Sequence, residues 1–167
     1  MTDSSKATLL DPESLREDDA VDVQDVVHDV AADDYADVES LDSHVVVGVT
    51  DSGSVLLQND GHHGWTLPAF PVADDDDWLA VAHREFEALT GTRISIEAPL
   101  RLRSREYRVV DGEESATVRD LVVRGTPATG LPADPESRVD GTDLRWDDAV
   151  PDDAPEPVAD DISLFVE

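Results

Sequence analysis

The stretch "DDDDWLAVAHREFEALTG", residues 74–91, constrains the fold more than any other part of the chain. It carries a start, an apolar stripe and a stop. Asp74–Asp77 offer acceptors to the free amides of a first turn and negative charge to the positive end of the helix dipole. Leu79, Ala82, Phe86 and Leu89 recur at spacings of three and four, which places them on one helix face. Gly91 suits the left-handed residue that ends such a helix. A helix of this kind needs a surface to cover, and the flanking segments supply strands.

Upstream, "HVVVGVT" is a β-branched run, "DSGS" a turn and "VLLQN" a second run, together a hairpin. "DGHHG" reads as a loop, and "WTLPAFPVADDDD" as an irregular stretch broken by Pro68 and Pro71. Downstream, Ile94–Ile96 and Leu100–Leu102 alternate. Tyr107–Val110, the turn Asp111–Gly112 and Thr117–Val123 make a second hairpin. "DGTDLRWDDAVPDDAPE" reads as an acidic helix-like turn around Trp146, and "DDISLFVE" as a short apolar closing segment, turn or helix. Residues 1–12 read as a frayed start, with Pro12 and Glu13 in a helix-start context. Val23, Val26, Val27 and Val30 fit a helical stripe, whereas Val21, Val23 and Val26–Val27 partly alternate as in a strand. The expected organisation is an acidic extension over residues 1–40, partly helical or strand, and an α+β domain with a mixed sheet over 41–167.

Forty acids against twelve bases give a formal net charge of −28, and Lys6 is the only lysine. Acids spread along the whole chain in this way resemble the proteins of extreme halophiles, whose self-repulsion molar salt screens to about 3 Å. The absence of a basic patch argues against a nucleic-acid partner. With no cysteine there is no disulfide framework and no thiolate metal site. No apolar run approaches the roughly 18 residues of a membrane span, and no signal peptide is visible, so a cytoplasmic location is the default expectation.

"W-x-L-P" at 65–68, then an acid-led helix bearing Arg84, Glu85 and the apolar Phe86, then Gly91, resembles the Nudix hydrolases. The family signature is G-x5-E-x7-R-E-U-x-E-E-x-G-U, with U a bulky apolar residue. Arg84, Glu85, Phe86 and Gly91 match it. Asp76 falls on the first glutamate and Thr92 on the last apolar position. Phe70 stands for the box glycine, and Ala88 and Leu89 stand for the E-E pair, so the box is degenerate. Trp146 in "LRWDDAVPDD" also resembles a family feature, a Trp after the last strand and before the final helix. The resemblance implies an α/β/α sandwich around a mixed sheet. It also implies Mg²⁺- or Mn²⁺-dependent cleavage of nucleoside-diphosphate-linked substrates, with Glu85 and Arg84 as catalytic residues and Glu85 and Asp76 as metal ligands.

Substitution of the E-E pair bears directly on that chemistry. Positions 85, 88 and 89 share a helix face, being three and four apart. Mg²⁺ needs several oxygens in near-octahedral geometry to stabilise the charge that grows on a cleaved pyrophosphate. Glu85 is the one carboxylate of the three positions, and Leu89 is expected to put methyl groups where an anion would meet metal. Glu87 points elsewhere, about 200° around the helix from Glu85. Asp76, Asp77, Glu113 and Glu114 are the candidates for substitute carboxylates. The adjacent His62 and His63 suit a solvated turn. Arg101, Arg103 and Arg105 share one face of a strand, where they either hold an anionic, nucleotide-like ligand or pair with neighbouring acids. The expectation is a Nudix-superfamily domain with weak or lost pyrophosphohydrolase activity. The alternatives are an active hydrolase using substitute carboxylates and a non-catalytic module that binds a nucleotide or a protein.

Overall fold

A computed structural model describes residues 12–39, 42–61, 64–73 and 75–166. His62, His63, Asp74 and all but the last residue of the stretch 1–12, read above as a frayed start, lie outside the described residues. Among the described residues, the strands form two sheets. The first has five strands: β1 (Asp22–Val30), β7 (Ile94–Val109), β8 (Ser115–Pro127), β2 (Ser43–Gly48) and β6 (Ala69–Val72), in that spatial order. It is mixed: β1 runs parallel to β7 and β2 parallel to β8, while β7–β8 and β2–β6 are antiparallel. The second sheet centres on β4 (Ser54–Asn59). Along one edge of β4 run the short β3 (Thr50–Asp51) and β5 (Trp65–Thr66), and along the other runs β9 (Asp143–Asp147), all antiparallel. Among the described residues the helices are α1 (Tyr35–Glu39), α2 (Trp78–Thr90) and α3 (Glu156–Ile162), with 3-10 turns over Pro12–Glu17 and Ala32–Asp34. No helix among the described residues is long and apolar enough to cross a membrane.

The helix expected at the centre of the chain is α2. Asp77 is its N-cap and accepts hydrogen bonds from the amides of Leu79 and Ala80, and Gly91 closes it at φ 78° with its N–H on the Glu87 carbonyl. A cap of this kind contributes about 1 kcal/mol. The buried face is broader than the expected stripe. It holds Trp78, Val81, Ala82, Phe86 and Leu89, with Leu79 at its margin. That face packs on Val45, Val47, Leu121 and Val123 of the five-stranded sheet. Alternation along each strand turns the intervening residues to the opposite face. There Val46 and Val122 pack against Ile162, Phe165 and Val166 at the C-terminal end. The mixed sheet thus has α2 on one face and α3 on the other.

The expected hairpin of residues 44–59 forms only at its tip. Ser52 (φ 54°) and Gly53 (φ 89°) make the turn, and Thr50–Asp51 pair with Ser54–Val55. Such a pair of left-handed residues suits a two-residue hairpin turn. Beyond the tip the arms part. β2 joins the five-stranded sheet between β8 and β6, while β4 joins the second sheet. Val45 to Val49 and Val55 to Leu57 are all buried, so each arm has a sheet of its own to fill. The second hairpin is present as expected, as β7 and β8, although two register shifts interrupt it near Ala98 and Arg101. Trp146 differs from expectation. It lies within β9, not in a helix-like turn, and its Nε1 donates to the Pro132 carbonyl at 2.9 Å. Pairing of β9 with β4 supplies backbone partners that a local acidic turn would lack. Residues 22–30, which fit either a helix or a strand, form β1.

Gly48 ends β2 with the Phe165 ring lying directly over its Cα, where any Cβ would overlap the ring. Arg124 lies on the same ring at 5.0 Å from its centroid. Gly48→Ala is expected to lower stability by about 1–3 kcal/mol, the usual cost of overpacking, as read by urea unfolding at fixed KCl. An unchanged midpoint would mean that Phe165 is not held on β2.

Candidate functional site

The residues singled out in the sequence lie on opposite sides of the five-stranded sheet. Arg84 and Glu85 belong to α2. They pair with each other, Arg84 Nε to Glu85 Oε2 at 3.0 Å, and both are substantially exposed. An adjacent exposed pair of this sort adds little to stability. Ala88 is exposed, whereas Leu89 is 3% exposed and sits in the core with Phe86. Leu89 therefore serves the packing face and does not stand beside Glu85 toward a shared ion. Asp76 turns back on its own loop and accepts from the Ala73 amide at 3.0 Å. The next residue, Asp77, is the N-cap, and eight residues of helix put Glu85 about 12 Å further along the axis. Glu113 and Glu114 sit in the tip joining β7 to β8. No group of three or more His, Asp or Glu among the described residues is placed to hold a metal ion. The residues at Glu85 thus do not fit a Mg²⁺ or Mn²⁺ cluster, which needs several oxygens at about 2.0–2.1 Å.

Arg101, Arg103 and Arg105 do share a face, the one turned toward α3, and acids meet all three. Asp161 of α3 is the hub. Arg103 grips both its oxygens, at 2.7 and 3.0 Å, and Arg101 reaches it at 2.8 Å. Arg101 also binds Asp22 of β1 at 2.9 Å and Asp160 at 3.3 Å. Arg103 Nε donates to Gln24 at 3.2 Å, so all three guanidinium nitrogens of Arg103 are engaged. Arg101, Arg103 and Asp161 are buried. Burial weighs against the Arg101 cation, yet the hydrogen bonds it donates to Asp161 and Asp22 hold its pKa above the usual value. Arg105 is different. It reaches Asp120 at 3.0 Å and the Tyr107 hydroxyl at 3.2 Å, but its Nε is buried without a partner.

Beside this network lies an open cavity of about 480 Å³. Its floor is the sheet: Val46 and Ala69, then Arg103, Arg105, Asp120 and His44. Parallel pairing sets His44 across from Asp120, and antiparallel pairing sets Arg103 on its other side. One wall is α3, through Val158 and Asp161. The other comes from the second sheet and the chain after β5, through Gln58, Thr66 and Leu67, with Asp42 and Asp60 completing the lining. Burial pushes the Asp120 carboxyl above the usual range, although Arg105, His44 and Arg103 all pull it down. Sequence reading brought only Arg103 and Arg105 to this place. Asp120 directly precedes the buried run Leu121–Val123 of β8, and Asp161 directly precedes the buried Ile162. A carboxylate set among core positions is the signal that marks both.

No protein-family model and no curated protein matches the chain. Solved structures do. The crystal structure of a UDP-X diphosphatase aligns with a TM-score of 0.55 and 16% identity, over 81% of this chain and 70% of that one. A NUDIX hydrolase from Nitrosomonas europaea aligns with a TM-score of 0.49 and 19% identity, covering 73% and 69%. The Bacillus subtilis pyrophosphohydrolase BsRppH, in a mutant form, gives 0.44 and 16%, covering 72% and 71%. The fold is therefore α+β and Nudix-like, a mixed sheet with a helix on each face, as the order of elements and the box spacing implied.

Proposed function

We propose that this chain is a Nudix-fold domain that binds a nucleotide-like small molecule and has weak or no metal-dependent pyrophosphohydrolase activity. The observation that carries the reading is the fate of the E-E positions: Ala88 faces solvent and Leu89 fills the core. Glu85 is left with Arg84 as its ion-pair partner. Restoring the E-E pair would take a carboxylate at position 89, which the fold has given to packing. Ligand binding is assigned to the cavity on the α3 side, where Arg103 and Arg105 line the floor and Arg101 braces α3 through Asp161. The acidity of the chain is read as adaptation to molar salt.

The test is turnover in molar KCl with Mg²⁺ or Mn²⁺, offering ADP-ribose, deoxynucleoside triphosphates, dinucleoside polyphosphates and UDP-linked diphosphates. UDP-linked compounds belong in the panel because one solved relative is a UDP-X diphosphatase. Turnover near background is expected, with no change on Glu85→Gln. Metal-dependent turnover that Glu85→Gln abolishes would overturn the reading in favour of an active hydrolase with substitute ligands.

A further inference from the structure

We propose that the cavity beside α3 takes the uncharged, nucleoside-like part of its ligand and turns polyphosphate away; this rests on the nucleotide-like reading above. An arginine recognises phosphate by offering free N–H groups. Arg103 has few to offer, because Asp161 and Gln24 engage each of its three nitrogens and three of its five N–H groups. Arg105 is spent in part on Asp120 and Tyr107. The lining holds Asp42, Asp60, Asp120 and Asp161 against those two arginines and Arg101, which reaches Asp161 from outside the lining, so carboxylates still outnumber guanidiniums by one. A triphosphate would bring about four more negative charges beside Asp120 and Asp161, whose carboxylates are largely out of water.

The cavity nevertheless has the means to hold an uncharged ring system. Val46, Leu67, Ala69 and Val158 give it apolar walls, and Gln58 and Thr66 add uncharged donors and acceptors. Arg105, on the floor, also keeps a buried Nε with no acceptor in the protein. Asp120, whose carboxyl burial pushes up, can serve as an acceptor or, when protonated, as a donor. A volume of about 480 Å³ falls within the range of small-molecule sites and suits a nucleoside.

The experiment is calorimetric titration in molar KCl without divalent metal, using adenosine, guanosine, cytidine and uridine, each beside its mono- and triphosphate. At least one nucleoside is expected to bind, with its triphosphate about tenfold weaker or more. The double substitution Asp42→Asn with Asp60→Asn is expected to narrow that gap without loss of the nucleoside. Ala69→Leu, which fills the floor, is expected to abolish nucleoside binding with an unchanged far-UV circular dichroism spectrum. If Ala69→Leu does not fold, Gln58→Ala carries the same test, with weakened binding expected. A triphosphate that binds more tightly than its nucleoside overturns the inference and leaves the proposed function standing. No binding by any nucleoside or nucleotide overturns the nucleotide-like reading itself.

Discussion

Asp161→Ala is expected to lower stability by about 3–5 kcal/mol, the usual cost of removing one partner from a buried ion pair. Asp161 takes three hydrogen bonds from Arg101 and Arg103, and the side chains of both arginines are 7% exposed. With the carboxylate gone, two guanidinium groups remain in a place that water hardly reaches. Asp22 and Asp160 partly compensate Arg101, whereas Gln24 is the other bonded partner of Arg103, so Arg103 carries the larger share of the loss. Urea unfolding at fixed KCl reads the effect. Arg84→Ala is the control, because the exposed Arg84–Glu85 pair contributes at most about 1 kcal/mol. Equal effects of the two substitutions would mean that Asp161 is not the hub described.

The second large effect concerns the box. Leu89→Glu restores a signature residue, and on sequence alone it should repair a metal site. The structure predicts the reverse. Leu89 is 3% exposed and packs with Phe86 in the core under α2. Losing a buried leucine costs about 2–5 kcal/mol, and a carboxylate put in its place must stay protonated or drag water inward. A loss of at least about 3 kcal/mol is expected, with no gain in Mg²⁺-dependent turnover. Ala88→Glu, at an exposed site, should be tolerated. A stable Leu89→Glu protein with new metal-dependent activity would show that the helix face can turn toward an ion after all.

The central helix was legible because local chemistry alone fixes it: Asp77 caps it, Gly91 ends it, and Phe86 and Leu89 lie on its core side. The β7–β8 hairpin was legible for the same reason, since a tight turn at 111–112 separates two alternating runs. The parting of β2 from β4 was not. Both are short apolar runs, and which sheet each joins depends on β8, β6 and β9, distant in sequence. Trp146 is illegible locally because "RWDD" carries the charge of a turn, while the partner that makes it a strand is Leu56, ninety residues earlier. For the arginines, period-2 spacing gave the shared face. It could not give Asp161, which a separate helix delivers.

The pairing of β1 with β7 also sets an order of events. Asp22 lies across from Arg101, 79 residues later in the chain. As the chain is synthesised, β1 emerges first and has no sheet to join until most of the domain has followed. Contacts so far apart in sequence form slowly and leave apolar segments exposed to aggregation meanwhile. Asp22, Asp25 and Asp29 punctuate the valines of β1 at intervals of three and four. They keep the waiting segment solvated and discourage it from adding to another nascent chain. Replacing them with neutral residues would then be felt in the yield of folded protein as well as in its stability, because Asp22 also pairs with Arg101 and Asp25 with Arg16.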